Sequence, residues 1–269
     1  MRIHSTFTKA LAVSAVALMS LTACGGSDSG SASSGSGAAD DLGLVQAGTL
    51  TACSDVPYPP FEFEKDGEYT GFDIDLMREI AKSMDLKLAV QDVGFDALQS
   101  GVVLASGQCD VGASAMTITD DRKKHLGFTE GYYDSEQSLL VPKGSDIKSI
   151  EDLAGKTVGV QQGTTGEKYT REHVPSDTKV QAYPSDAELF PALQSKGVDA
   201  VLQDLPVNLE HTQGGKFEIV AKYKTDEKYG FAVKKEGSEA LLKELDAKLA
   251  ELKDNGKYQE IYDKYFSTK

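Results

Sequence analysis

The run Ser195-Lys196-Gly197-Val198-Asp199-Ala200-Val201-Leu202-Gln203-Asp204 decides the fold. A helix reaching Ser195 is stopped at Gly197, residues 198–202 read as a short buried strand, and two polar residues close it. The same order occurs earlier: a helix, then Ser106-Gly107-Gln108-Cys109-Asp110, then a strand ending at Ser114. Read together, the two runs hold equivalent positions in two similar lobes; read apart, they are a chance likeness between two βα units. Both readings give alternating strands and helices, the pattern of an α/β sheet.

Working outward, residues 49–53, 88–90 and 111–114 read as strands, and 61–63 as a brief extended piece. Gly71 precedes a helix from Asp73 to about Met84, with Phe72, Leu76, Ile80 and Met84 four apart on its inner face. Residues 95–105 form a second helix. After Pro142, Ser149 with Asp152 spells a capping box closed by Gly155, and Ser185 with Glu188 spells another. Residues 157–160, 179–182, 217–221 and 231–233 are further strands, with a helix starting near Thr165. Leu242, Leu245, Leu249 and Leu252 stripe a late helix that stops at Asn255-Gly256. The last helix carries Tyr258, Ile261, Tyr262 and Tyr265, a docking face.

Composition sets the outer bounds. The chain has 269 residues, 40% apolar and 26% charged, an ordinary globular makeup with room for one or two domains. Its net charge of -14 repels phosphate backbones and makes nucleic acid a poor partner. Three cysteines are too few for a disulfide-dense scaffold. His125, His173 and His211 show no paired ligand spacing, so no metal or other cofactor is expected. Neither a nucleophile elbow nor a phosphate-binding P-loop is spelled out.

The first residues read as an address. Arg2 and Lys9 precede a short stretch rich in Ala, Val and Leu, ending Leu21-Thr22-Ala23-Cys24. That ending resembles the lipobox of bacterial lipoproteins, which makes residues 1–23 a lipoprotein signal peptide and Cys24 the lipidated residue. An ordinary secretory signal is the plainer alternative. Residues 24–41 are a Gly/Ser tether with nothing to bury. The expected location is the extracytoplasmic face of the bacterial cell membrane, held by the lipid anchor alone. Export would leave Cys53 and Cys109 as one thiol pair in an oxidising compartment. Cys53 sits near the end of its strand and Cys109 before the start of its own. A Cα separation beyond roughly 7 Å would forbid a bridge, so bridged and free thiols both stand.

In open α/β sheets ligands gather beyond the carboxyl ends of strands. Four ends here carry suggestive chemistry: Asp55 and Tyr58; Ser114, Met116, Thr117 and Arg122; Gln161, Thr164 and Thr165; and Asp204. Arg122 can clamp a carboxylate through paired N–H bonds, and the helix start at Thr164–Thr165 favours an anion. Asp204 can accept from an ammonium, while Tyr58 and Phe95 can cover an aliphatic stem. The set suits a small zwitterion. Each residue also has a bland reading: Arg122 in a solvated Arg122-Lys123-Lys124 turn, Gly163-Thr164-Thr165 as a plain cap, Asp55 organising a turn, Asp204 capping the helix at Pro206.

The blocks Asp55-Val56-Pro57-Tyr58-Pro59-Pro60-Phe61-Glu62-Phe63, Gly71-Phe72-Asp73-Ile74-Asp75-Leu76 and Met116-Thr117-Ile118-Thr119-Asp120-Asp121-Arg122 resemble family 3 solute-binding proteins of polar amino-acid ABC transporters. Val158-Gly159-Val160-Gln161-Gln162-Gly163-Thr164-Thr165 and residues 199–204 continue the resemblance in order. It implies a two-lobed α/β periplasmic-binding-protein type II fold with two hinge strands, lobe 1 from residues 42–136 plus 232–269, and lobe 2 with the hinge strands from 137–231. It implies crossings near residues 134–141 and 225–232, a free amino acid as ligand, ABC permease subunits as partners, a monomer, and no enzymatic activity. On matching positions, Arg122 and the Thr164–Thr165 amides would hold the α-carboxylate and Asp204 with Ser114 the α-amino group, Thr117 bridging. Tyr58 and Phe95 would sandwich the side chain, and Asp55 would read its tip. Ala115 and Gln161 depart from the common pattern. The surplus acceptor at Asp55 favours a polar or cationic side chain. Two rivals share the architecture: a ligand-sensing lipoprotein, and a dehydratase-like enzyme using a raised-pKa carboxyl at Asp55 or Asp204.

Overall fold

The computed structural model describes residues 42–267. The signal-like stretch, Cys24 and the whole Gly/Ser tether lie outside the described residues. In chain order the elements are β1 (Thr49–Ser54), β2 (Phe63–Lys65), β3 (Glu68–Thr70), α1 (Phe72–Ser83), β4 (Lys87–Asp92), α2 (Phe95–Gln99), α3 (Val102–Ala105), β5 (Val111–Gly112), β6 (Leu126–Phe128) and β7 (Tyr133–Pro142). They continue with β8 (Thr157–Gln161), α4 (Thr165–His173), β9 (Lys179–Tyr183), α5 (Asp186–Gln194), β10 (Ala200–Asp204), α6 (Leu205–Thr212), β11 (Phe217–Tyr229), β12 (Ala232–Lys234), α7 (Glu239–Asp254) and α8 (Lys257–Phe266).

Two five-stranded sheets organise these elements, ordered β4-β1-β5-β12-β6 and β11-β7-β10-β8-β9. In each, four strands share one direction and a single strand next to one edge, β12 in the first and β7 in the second, runs against them. The repeated grammar of the sequence is therefore a repeated topology: β5 and β10 are the equivalent strands that follow Ser106-Gly107 and Ser195-Lys196-Gly197. The chain leaves the first sheet along β7 and returns along β11, and these two pair antiparallel for most of their length. The parallel strands put Ser54, Gly112, Gln161 and Asp204 at their carboxyl ends. The cleft lies there.

Local chemistry explains the element ends. The helix expected over 95–105 breaks in two because Gly101 takes φ +78 between α2 and α3. Gly71 before α1 sits at φ +128, with the carbonyl of Phe61 where a Cβ would be; glycine alone tolerates both. Ser149 and Asp152 form their capping box, whereas Ser185 makes no side-chain cap and that expectation fails. Leu241, not Leu242, leads the buried stripe of α7 with Leu245, Leu249 and Leu252, each side chain contributing roughly 1.5–3 kcal/mol by leaving water. The aromatic side of α8 does dock, Tyr262 and Phe266 packing on Phe72 and Tyr133.

Cys53 and Cys109 are bonded, with Cα atoms 5.8 Å apart. The register argument against this fails because Cys109 is not in line with its strand. Gln91, the β4 partner of Cys53, donates to the Gln108 carbonyl and draws that segment over the sheet. The bridge closes a span of 56 residues, worth about 4 kcal/mol in the chain-entropy account. Reduction, or Cys109→Ala, should lower the urea midpoint accordingly; equilibrium unfolding with and without reductant measures it, and equal midpoints would show the bridge adds nothing.

Candidate functional site

A nearly closed cavity of about 10 Å³ lies between the two sheets. The first lobe supplies Asp55, Tyr58, Phe95, Ser114, Ala115, Thr117 and Arg122, and the second Gln161, Thr164, Thr165 and Asp204. Met116 belongs to neither wall. It is fully buried in the core cluster with Cys53, Leu98 and Ala232, because residues 114–117 alternate sides as they leave β5 and Ala115 turns inward at φ +43.

Arg122 is buried while Lys123 and Lys124 are exposed, so the basic run is not a solvated turn. Its guanidinium lies 5.2 Å from the centre of the Phe95 ring and donates to the carbonyls of Thr117 (2.8 Å) and Gly163 (3.0 Å). The second bond crosses the cleft. Burial pulls its pKa down to about 10, with Asp204 opposing, and it stays charged at neutral pH.

Asp204 begins α6 but makes no side-chain cap. Its carboxylate instead accepts from Tyr58 Oη at 2.9 Å, Tyr229 Oη at 2.5 Å and Gln137 Nε2 at 2.5 Å. Asp55 accepts from Gln161 Nε2 at 2.5 Å across the cleft, and Ser114 Oγ accepts from the Asp55 N–H while donating to Glu62. Thr164 does cap: its hydroxyl accepts from the Glu167 N–H, and Glu167 in turn accepts from the Gly163 N–H. At Gly166 a Cβ would meet Gln137 Oε1 at 2.7 Å, so a larger residue there would push the Gln137 side chain away.

Lobes of matched topology, hinged by one antiparallel pair and meeting over buried charges, are reflected in the sequence comparison. The pattern of the bacterial extracellular solute-binding proteins, family 3, matches residues 50–268. The chain belongs to that family. It is 35% identical over 261 residues to the ABC transporter glutamine-binding protein GlnH of Bacillus subtilis, covering 94% of each chain. It is 35% identical over 223 residues to the L-arginine-binding protein of Pseudomonas aeruginosa, covering 78% of this chain and 85% of that one. The structure of an ancestral arginine-binding protein bound to arginine superposes with a TM-score of 0.77 at 39% identity, covering 82% of this chain and 99% of that one. These relatives are binding proteins rather than enzymes, and this solute-binding protein is not an enzyme.

Sequence reasoning missed several acidic residues that stand behind the cavity lining. Glu227 on β11 accepts from Thr117, Thr165 and Gln137. Asp73 accepts from Tyr132 Oη (2.6 Å) and from the N–H of Ala115 (2.8 Å), holding that left-handed residue in place. Glu62 lies behind Ser114. The resemblance block already contained Glu62 and Asp73, but nothing in their spacing says that they turn inward.

Burial lifts the pKa of Asp55 from 3.8 to about 7, and burial with the nearby Asp204 charge lifts Glu227 from 4.5 to about 7. The folded chain thus keeps protons that the unfolded chain releases between about pH 4 and 7. Each such group makes stability fall as pH rises through that window and leaves it level above. Asp55→Asn should therefore gain stability over wild type as pH goes from 4 to 8. Urea unfolding of both at several pH values tests this; parallel pH profiles would refute it.

Proposed function

We propose that the protein captures a free L-amino acid with a cationic or polar side chain outside the cytoplasmic membrane and hands it to an ABC permease. The observation that carries the side-chain reading is a charge count. Arg122 is the one buried Lys or Arg among the described residues, while Asp55, Glu62, Asp73 and Asp204 are buried carboxylates around the same cleft. Arg122 with the start of α4 matches one carboxylate, and Asp204 one ammonium. Asp55 remains, in a wall with Tyr58 and Phe95, and an uncompensated buried carboxylate costs several kcal/mol. A side chain carrying N–H donors relieves that cost; leucine or valine does not. The names of relatives agree in kind, covering glutamine, arginine, histidine and cystine.

The same reading places the protein at the extracytoplasmic face, tethered by a diacylglyceryl group on Cys24 with residues 25–41 as leash, and working as a monomer. The lipobox-like run and the Gly/Ser composition support it. Cys24→Ala should release the protein to the medium or leave it unprocessed; a processed form still retained on the membrane would count against the anchor.

Calorimetric titration of the chain from Gly25 against the twenty amino acids tests the ligand class. Arginine, lysine, histidine or glutamine should bind, and Arg122→Ala should cost every ligand roughly 3 kcal/mol or more. Asp55 must be ionised to pair with a cation, so affinity for arginine or lysine should rise from pH 6 to 8, with glutamine nearly level. Asp55→Asn should weaken cationic ligands most. Tight leucine binding, or equal weakening of all ligands by Asp55→Asn, would reject the reading.

A further inference from the structure

Glu227 carries chemistry that the ligand reading does not use. Its Oε2 receives three donors: Thr117 Oγ1 at 3.1 Å, Thr165 Oγ1 at 3.1 Å and Gln137 Nε2 at 3.1 Å. Thr117 follows β5 in the first lobe, Thr165 opens α4 in the second, and Glu227 stands on the return strand β11. The two hydroxyl oxygens are 3.4 Å apart, so they converge on one side of the cavity and Glu227 backs both.

A threonine hydroxyl has one proton and two lone pairs. If the proton goes to Glu227, only lone pairs remain for the cavity. We infer that Glu227 is a positioning residue that fixes the polarity of Thr117 and Thr165, so that both present acceptors to the ligand and serve its α-ammonium rather than its α-carboxylate. This deepens the proposed function and rests on it. It sharpens the division of labour expected from the sequence, in which Thr117 bridges and the Thr164–Thr165 amides hold the carboxylate. The anion is left to Arg122 and to the backbone N–H groups at the start of α4, which no side chain can invert. Gln137 supports the same arrangement, since one amide nitrogen donates to both Asp204 (2.5 Å) and Glu227 and ties the two acidic groups into one ammonium-seeking wall.

Three donors on one oxygen suit a carboxylate, and an arriving ammonium favours the ionised form further. A glutamine at 227 keeps the shape but offers one amide oxygen and an NH₂ donor. The hydroxyls would then be free to turn their protons into the cavity.

The test compares L-arginine with 5-guanidinopentanoic acid, which lacks only the α-amino group, on wild type and Glu227→Gln by calorimetry. Wild type should lose roughly ten- to hundredfold more affinity than the variant when the amino group is removed, the worth of hydrogen bonds to a charged group. Glu227→Asp, which keeps a carboxylate, should restore part of the discrimination. In a Thr117→Val/Thr165→Val background, where no hydroxyl proton remains to be set, adding Glu227→Gln should leave discrimination unchanged. Equal loss of both ligands in Glu227→Gln, with discrimination intact, would overturn the inference and leave Glu227 a structural residue. If L-arginine fails to bind wild type while L-glutamine binds, the cationic reading falls alone. The same comparison then runs with L-glutamine and 4-carbamoylbutanoic acid. Should Glu227→Gln fail to fold, the Val pair decides: unchanged amino-group discrimination there overturns the inference, and reduced discrimination supports it.

Discussion

Among the described residues one buried guanidinium shares a narrow cleft with several buried carboxylates, and the hydrogen bonds around them hold that imbalance. Carboxylates leave water at a cost of several kcal/mol each unless hydrogen bonds or opposite charge replace the lost hydration. The protein replaces it with neutral donors. Asp204 has two phenols and an amide, Asp73 a phenol and a backbone N–H, Glu62 a hydroxyl and Asp55 an amide. Neutral donors lower the cost without cancelling the charge, and so a demand for a cationic partner remains in the site. Raised pKa values across this cluster express the same fact in protons.

That demand bears on closure. The contacts between the lobes include Tyr58 to Asp204, Gln161 to Asp55 and Arg122 to the Gly163 carbonyl. Each joins a group that a zwitterion would also engage. The exposed Lys168–Asp121 pair at the rim, 3.6 Å apart, adds little in water. A ligand therefore favours the closed form only through what it offers the buried groups beyond what they already offer each other. Selectivity and closure become one quantity. On the proposed reading, a ligand that leaves Asp55 without a donor would bind weakly and close the lobes weakly.

The sequence made the sheets legible because strands and helices alternate with stops at Gly, and the strand-end residues followed because polar groups cluster where apolar runs finish. What was not legible depended on direction. Met116 lies beside Thr117 and was read with it, but the left-handed turn at Ala115 sends Met116 into the core. Cys109 stands before its strand, so strand spacing does not say where its segment runs or whether it meets Cys53. Leu241 and Leu242 both fit a helical stripe, and packing chose between them.

Glu227 shows how far such reading can reach. It lies in a stretch, 222–228, where exposed and half-buried residues alternate as on any solvated strand, and alternation alone makes it unremarkable. The pairing of β11 with β7, however, shifts register between Tyr223 and Glu227. A bulge re-aims the side chains that follow it, and here the shift carries Glu227 to the two threonines while Gln137, opposite Tyr223, reaches both Glu227 and Asp204. Local propensity does not encode the offset. It arises because β11 must leave one sheet and feed the other, and a strand that twists between two sheets must lose register somewhere. Losing it beside the cleft turns a connecting strand into part of the binding wall, so the hinge and the site share a residue. On the role inferred for Glu227, a change in hinge angle would move the carboxylate that both threonines face and so couple motion to recognition through one side chain.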